Sequence, residues 1–131
     1  PSTLILVAKV IYLSYDSNIN KMGVTIMKEQ VIAEIHVLPL GTATTSLSHY
    51  IAACLDVVKE AEDISYQLTA MGTIIQGRLE RILELAQKMH EAPFAIGAKR
   101  VATTINIDDR RDKPITIESK VKAVSQASRG L

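Results

Sequence analysis

The stretch Val101–Lys113, with the sequence VATTINIDDRRDK, decides the fold, since it begins as a strand and ends in a charged turn. In the strand half, β-branched residues at 101, 103, 105 and 107 alternate with small or polar residues at 102, 104, 106 and 108. Successive side chains of a strand point to opposite faces, so the pattern predicts a strand that covers a core on one side only. The other side must meet water, a ligand or another subunit.

The composition is typical of one globular domain, with 131 residues of which 47% are hydrophobic and 22% charged. The net charge is +1 with both signs interspersed, which argues against nucleic acid or an anionic membrane as a partner. The single cysteine, Cys54, excludes an intrachain disulfide and, with no signal-peptide pattern, favours a cytoplasmic protein. The apolar run Leu4–Leu13 is interrupted by Lys9 and is too short to span a bilayer.

The first residues differ from the rest of the chain. A β-prone segment, Leu4–Tyr15, is followed by a turn-rich break at 16–20, and Met27 then stands where a protein chain would naturally start. We therefore expect residues 1–27 to be an extension of unknown role and residues 28–131 to form the domain.

Hydrophobic periodicity from Gln30 onward predicts alternating strands and helices. Strands are expected at about 30–38, 65–70, 73–76 and 101–108, with helices from a Thr45 or Ser46 cap to 61, at 79–91, and beyond Pro114. Pro93 is expected to mark the end of the second helix. The inward residues predicted for that helix are Leu79, Ile82, Leu83, Ala86 and Met89. The order β-α-β-β-α-β plus a terminal helix predicts an α+β, ferredoxin-like sandwich: a four-stranded antiparallel sheet with two helices on one face.

Strand periodicity also divides the sheet into two faces. The residues predicted to face the helices are Val31, Ala33, Ile35, Val37, Tyr66, Leu68, Val101, Thr103, Ile105 and Ile107. The opposite face carries Ile32, Glu34, His36, Leu38, Gln67, Thr69, Ile74, Gln76, Arg100, Ala102, Thr104, Asn106 and Asp108. The apolar residues of this second face are too many to be exposed to water as a group. Its polar residues would be costly to bury without hydrogen-bond partners. A sheet-to-sheet subunit interface that encloses a polar pocket meets both demands, and an ordinary solvated face is the alternative.

The sequence contains no strong catalytic or metal-binding motif. Glu34, His36 and Asp108 converge on adjacent strands, but two residues at strand spacing are a weak signal, and we predict no catalytic or metal-ligating residue. RNA binding by the module that shares this fold is rejected, because the central strands lack aromatic residues for base stacking. The charged run 108–113 is either a solvated turn or a source of salt bridges between subunits through Arg110 and Arg111.

Four spaced motifs resemble a known family: LPLGT at 38–42, SLSHY at 46–50, MGTIIQG at 71–77, and the segment from Lys99 to Lys113. Together they resemble the small thiamine-binding proteins of the YkoF-like superfamily over about residues 28–126. The resemblance implies a ferredoxin-like protomer that self-associates as a homodimer or homotetramer. It also implies non-catalytic binding of thiamine, or of its hydroxymethylpyrimidine part, near the sheet face and subunit interface, with no other cofactor.

The chemistry of thiamine suggests which residues take part. Its aminopyrimidine presents a donor and acceptors and its thiazolium is a permanent cation, so amide, hydroxyl, backbone and acidic groups suit it. The predicted ligand-binding residues are Leu38, Gly41, Thr42, Ser48, Thr73, Gln76, Asn106 and Asp108. The predicted oligomer-interface residues are Ile32, Glu34, His36, Ile74, Arg110 and Arg111. At position 76 the family often has Glu, whereas this chain has Gln76. The neutral amide lacks the negative charge that could face the thiazolium.

Two rival functions stay open from the sequence. The first is a regulatory or protein-interaction oligomer that acts on a partner protein and has no thiamine ligand. The second is an enzyme that uses Glu34, His36 or Asp108.

Overall fold

The computed structural model describes residues 29–129, in which the elements follow the predicted order. These are β1 (Val31–Leu40), α1 (Ser48–Lys59), β2 (Ser65–Leu68), β3 (Thr73–Gly77), α2 (Leu79–Ala95), β4 (Arg100–Asp108) and α3 (Ile117–Arg129). The strands form one antiparallel sheet in the order β2-β3-β1-β4. The α+β, ferredoxin-like prediction is therefore confirmed, while the predicted extension at 1–27 lies outside the described residues.

The core lies between the central strand β1 and helices α1 and α2. Every second residue of β1 from Val31 to Val37 is buried, and the residues between them are half-buried. The strand register confirms the predicted division into faces, because residues paired across antiparallel strands share a face. Ile35 is paired with Ile105 of β4 and Thr73 of β3 on the helix side. The other side, which we call the open face, carries Ile32, Glu34, His36 and Leu38 of β1, Ile74 and Gln76 of β3, and alternate residues of β4 from Arg100 to Asp108.

The central strand β1 is paired unequally with its two neighbours. It pairs with β4 over nine positions, from Ile32 to Leu40, but with β3 over only five, from Val31 to Ile35. In the described part of the chain, the edge of β1 that faces away from β4 therefore has no strand beside it beyond Ile35. This difference in pairing length leaves a gap beside β1, and the candidate site lies there.

Some predicted boundaries and inward residues were wrong. Helix α1 is preceded by Leu47, with no side-chain cap, and not by a capping Thr45 or Ser46. Leu83 is 45% exposed and Leu85 is buried in its place, because the buried stripe of α2 runs through 82, 85, 86, 89 and 93. Strand β2 ends at Leu68 and not near residue 70. Thr69, expected on the open face, instead closes the hairpin turn by accepting the N–H of Gly72 through its hydroxyl.

Helix α2 continues through Pro93 to Ala95, where the sequence predicted an end. A proline inside a helix has no N–H to donate to the carbonyl four residues earlier, which here belongs to Met89. The thiol of Cys54 on α1 donates to that carbonyl oxygen at 3.2 Å. The packing of α1 against α2 therefore satisfies the group that Pro93 leaves without its helical partner, so the helix need not stop.

The edge strands are less covered than their pattern predicted. Tyr66 and Leu68 on β2, and Ile105 and Ile107 on β4, lie on the helix side of the sheet but remain exposed. Both strands are at the edges of the sheet, where burial by two helices is incomplete.

Helix α3 begins against one end of the open face. Thr116 and Ser119 form a reciprocal cap, each side-chain oxygen accepting the other residue's backbone N–H, at 2.9 and 3.0 Å. The next N–H, of Ile117, donates to the side-chain oxygen of Gln76 at 2.9 Å. Lys120 pairs with Asp108 of β4. Gln76 and Asp108, both predicted ligand residues, thus hold the start of α3 on the sheet.

We expect Gln76→Leu to loosen the start of α3, because Ile117 loses its acceptor. Hydrogen exchange at the Ile117 amide should quicken about three- to tenfold, the effect of one hydrogen bond of about 0.5–1.5 kcal/mol. Gln76→Glu keeps an acceptor oxygen and should retain the protection. Gln67→Leu, an exposed glutamine on β2, is the matched control; equal exchange in all three variants would contradict the capping role.

Candidate ligand-binding site

A cavity of about 230 Å³ lies beside the unpaired half of β1, on the helix side of the sheet. Its walls come from β1, from the segment that begins α1, from the β2–β3 turn, and from α2. The lining residues are Ile35, His36, Val37, Leu38, Leu47, Ile51, Cys54, Leu68, Thr69, Ala70, Met71, Gly72, Thr73 and Met89. Met71 is 74% exposed, so the turn that forms one wall reaches solvent.

One wall of the cavity is backbone. The side chains of His36 and Leu38 belong to the open face, so these residues line the cavity through main-chain atoms. From His36 to Leu38, where the cavity lining on β1 ends, backbone groups that point away from β4 have no backbone partner within residues 29–129. In an extended strand the N–H and C=O of one residue point to the same edge, so this wall offers adjacent donors and acceptors.

The turn between β2 and β3 can lie this close to β1 because residue 72 is glycine. A Cβ built there would be 3.0 Å from the carbonyl oxygen of Ile35, which is tighter than ordinary contact. The same hypothetical Cβ would be 3.4 Å from Cγ of Glu34, so an acidic side chain borders this wall from the open face.

Among the polar side chains of the lining, Thr73 is the one best placed to bind a ligand. It is only 4% exposed, and within residues 29–129 its hydroxyl makes no hydrogen bond. The hydroxyl of Thr69, in contrast, is used in the turn, where it donates to the carbonyl of Gly72 at 2.8 Å. Burial raises the pKa of the Cys54 thiol to about 11, so this thiol is a neutral wall group at physiological pH.

The lining carries no Asp, Glu, Lys or Arg. Its remaining surface is aliphatic or thioether, and Met71 and Met89 provide polarizable sulfur that packs favourably against aromatic rings. An apolar cavity with a few fixed polar groups is the usual form of a small-molecule site.

The predicted ligand residues fall into three places. Leu38 and Thr73 line the cavity. Gly41 and Thr42 lie in the connection between lining residues Leu38 and Leu47, and Ser48 is the first residue of α1. The remaining three, Gln76, Asn106 and Asp108, lie on the open face. Thr73 and Gln76 are on opposite faces of β3, so a single chain does not bring all eight together.

Gln76 already has a partner at each end of its amide. Its nitrogen donates to the side-chain oxygen of Gln30 at 2.9 Å, and its oxygen accepts from Ile117. Asn106 is exposed and is paired in register with Glu34. These residues form the end of the open face on which α3 begins.

The residues predicted to form the oligomer interface lie in two separate places. Ile32, Glu34, His36 and Ile74 share the open face and are half-buried. Arg110 and Arg111 lie in the turn after β4, where each pairs within the chain: Arg110 with Asp112 at 2.6 Å and Arg111 with Asp109 at 2.8 Å. The hydrogen bond from Arg110 lowers the pKa of Asp112 to about 2.

The described residues hold no group of three or more His, Cys, Asp or Glu side chains that could bind a metal ion. No helix in the same part of the chain combines the length and the apolar character needed to cross a membrane.

Sequence reasoning missed most of the cavity wall, including Leu47, Ile51, Cys54, Met71 and Met89. Each was assigned to a helix or turn on its own, with no neighbour across the core. One signal was available: β1 was expected to be much longer than β3, which Gly77 ends, and such a mismatch leaves part of a central strand without a neighbour.

The comparisons with known proteins point to one family. A family model for thiamine-binding proteins matches residues 33–125. The UPF0045 protein YqgV of Bacillus subtilis is 47% identical over 98 residues, which cover 72% of this chain and 94% of YqgV.

Solved structures agree with this result. A hypothetical protein of Methanocaldococcus jannaschii superposes with a TM-score of 0.69 at 34% identity, covering 74% of this chain and 97% of that one. A candidate thiamine biosynthesis/salvage protein of Thermotoga maritima shares the fold, with a TM-score of 0.62 at 23% identity and coverage of 72% and 98%. From the family model and the sequence relatives, this chain belongs to the thiamine-binding protein family.

Proposed function

We propose that this protein binds thiamine, or its hydroxymethylpyrimidine part, without transforming it, and that the pyrimidine occupies the cavity beside β1. The observation that carries the proposal is the unpaired backbone edge at His36–Leu38 in an otherwise apolar wall. An aminopyrimidine has a ring-nitrogen acceptor next to an amino donor, which complements a backbone N–H and C=O on one strand edge. Membership of the thiamine-binding protein family supports the choice of ligand.

The size and charge of the cavity favour the pyrimidine over the thiazolium. At about 230 Å³ the cavity is smaller than the roughly 300–1,000 Å³ of sites for drug-sized molecules. Its lining has no carboxylate to offset a buried cation, and an unpaired buried charge is costly. The pyrimidine ring therefore enters, between the thioethers and the Thr73 hydroxyl, and the thiazolium stays at the solvent side.

A non-catalytic role fits the chemistry of this wall. The side chains that line it include a neutral thiol and hydroxyls, and no Asp, Glu, Lys or Arg is among them. We place the protein in the cytoplasm, where its single cysteine, buried and not disulfide-bonded, would remain reduced.

Thermal unfolding with thiamine, hydroxymethylpyrimidine and thiamine phosphate tests the ligand. At a hundredfold excess over the dissociation constant, a bound ligand should stabilise the protein by about 2.7 kcal/mol. Hydroxymethylpyrimidine should bind about as tightly as thiamine, with little dependence on salt, because the cation stays outside. The absence of a shift with any of the three would reject the thiamine assignment and favour the protein-interaction alternative.

A pair of variants tests the position of the ligand. Thr73→Val keeps the shape of the side chain but removes the hydroxyl, and should weaken pyrimidine binding about three- to tenfold. Asn106→Ala, on the open face, should leave affinity unchanged. The reverse result would put the ligand on the open face, as the sequence first suggested. Calorimetric titration of both variants, with unfolding curves as a check on folding, measures the difference.

We further propose that the open face packs against a second copy in a homodimer or homotetramer. Ile32 and Ile74 give this face an apolar part, and Val121 and Val124 are exposed apolar residues on α3, the helix whose start is held on this face. Ile74→Glu should therefore reduce the mass measured by sedimentation velocity. Leu83→Glu, at an exposed apolar position of α2, is the matched control, and equal masses for both variants and the native chain would argue against this interface.

A further inference from the structure

Hydrogen bonds of the β2–β3 hairpin determine which residues of β1 direct their main-chain groups into the cavity. The N–H of Thr69 donates to the carbonyl oxygen of Gly72 at 2.9 Å, so Gly72 faces β2. Main-chain groups of successive residues alternate between the two edges of a strand, so Thr73 faces β1. Thr73 is paired with Ile35, whose carbonyl oxygen lies 3.0 Å from a Cβ built on Gly72. The main-chain groups of Ile35 therefore point toward β3.

The same alternation identifies Val37 as the residue whose N–H and C=O face the gap beside β1. It comes two residues after Ile35 and uses the same edge, and β3 no longer follows β1 there. Neither group has a backbone partner in the part of the chain that the structure describes. Val37 belongs to the cavity lining, so this wall presents one donor and one acceptor side by side.

The next residue with main-chain groups on this edge is Pro39, just beyond Leu38, the last lining residue of β1. Proline has no N–H, so position 39 offers a carbonyl without the donor that any other residue type would add. The edge of β1 therefore presents a donor and an acceptor at Val37, followed by an acceptor alone at Pro39. The carbonyl of Pro39 makes the end of this edge more negative than an ordinary strand edge.

Building on the function proposed above, we propose that this edge selects pyrimidines with an amino group at C4 and a substituent at C5, and that it fixes their orientation. The ring nitrogen N3 accepts from the N–H of Val37, and the 4-amino group donates to the carbonyl of Val37. N3 and the amino group are neighbours on the ring, so one edge of the ligand pairs with one edge of the strand.

This pairing allows a single direction for the ring. The N–H of a residue precedes its C=O along the chain, so N3 lies toward Ile35 and the amino group toward Pro39. The substituent at C2, next to N3, then points toward Gly72, where the turn packs against Ile35 and leaves little space. The substituent at C5, on the other side of the amino group, points toward Pro39 and the connection to α1. In thiamine, this is the substituent that carries the thiazolium.

The orientation brings the cation of thiamine to the part of the edge that has an acceptor and no donor. A carbonyl dipole favours a nearby positive charge, whereas an N–H beside it would oppose that charge. The cavity lining has no carboxylate, so the carbonyl of Pro39 is a main-chain substitute for one. It offsets part of the hydration that the thiazolium loses at the mouth of the cavity.

The same edge rejects 4-oxo pyrimidines. In such a ring N3 carries a hydrogen and C4 carries an oxygen, so at Val37 a donor meets a donor and an acceptor meets an acceptor. Both main-chain groups are then buried without a partner. Unpaired buried polar groups are what gives a binding site strong discrimination between ligands of the same shape.

Calorimetric titration with matched pyrimidines tests this selection on the native chain. The 4-oxo analogue of thiamine should bind at least about a hundredfold more weakly than thiamine, because two hydrogen bonds are lost and two groups are left unpaired. Hydroxymethylpyrimidine with an isopropyl group in place of its 2-methyl group should bind at least about tenfold more weakly, because C2 points into the tight end. Thiamine, which is enlarged at C5 instead, should retain the affinity of hydroxymethylpyrimidine.

A substitution of Pro39 tests the orientation. Pro39→Ala adds an N–H on the edge that the thiazolium approaches, and should weaken thiamine binding about three- to fivefold. Binding of the neutral hydroxymethylpyrimidine should not change. Pro114→Ala, at an exposed proline in the loop after β4, is the matched control and should change neither affinity. Unfolding curves check that both variants fold.

Nuclear magnetic resonance detects the central hydrogen bond directly. An N–H···N hydrogen bond transmits a scalar coupling between its two nitrogens when both are isotope-labelled. With labelled protein and labelled hydroxymethylpyrimidine, this coupling should join N3 of the ring to the amide nitrogen of Val37.

The outcomes separate this proposal from the function on which it rests. Equal affinity for the amino and 4-oxo forms would overturn the selection while thiamine binding stands. A coupling from N3 to an amide other than that of Val37 would overturn the orientation, as would a Pro39→Ala variant that loses both ligands equally or neither. Binding of none of these pyrimidines would refute the proposed function, and the selection with it.

Discussion

The unequal pairing of β1 is the constraint on which the rest of the structure depends. β4 follows β1 for nine positions, but β3 leaves it after Ile35, where the β2–β3 turn packs against the strand at Gly72. Where a central strand lacks one of its two neighbouring strands, it exposes backbone donors and acceptors that need other hydrogen-bond partners. Helices α1 and α2 wall this gap on the core side, so the unpaired edge borders a cavity and becomes a place where a small polar ring can bind.

Two polar side chains, Cys54 and Gln76, connect distant elements. The Cys54 thiol satisfies the Met89 carbonyl that Pro93 leaves without its helical partner, which fixes α1 against α2 beside the cavity. Gln76 joins β3 to the first turn of α3 and to Gln30, which precedes β1. Because glutamate would supply the same acceptor to Ile117, the Gln76 departure is compatible with a structural role on the open face. The change from Glu to Gln at this position therefore does not have to be explained by the charge of a ligand.

Periodicity predicted the element order and both faces of the sheet, because alternation in β1 and β4 is strong and each strand has a defined covered side. It could not predict which helix residue among neighbours turns inward, so Leu83 was chosen where Leu85 is buried. Alternation along β3 does place Thr73 and Gln76, three residues apart, on opposite sides of the sheet, and the predicted ligand set did not take this into account. The cavity itself is lined by residues that are distant in the sequence, such as Val37, Ile51 and Met89, and local pattern does not encode which of them come together.

The most direct test is a titration of isotope-labelled protein with hydroxymethylpyrimidine, followed by amide chemical shifts. Binding at the open edge of β1 predicts the largest changes at His36, Val37 and Leu38, with smaller ones at Thr73 and little change at Asn106 or Asp108. Changes centred on Gln76, Asn106 and Asp108, with the edge of β1 unaffected, would contradict the account and place recognition on the open face.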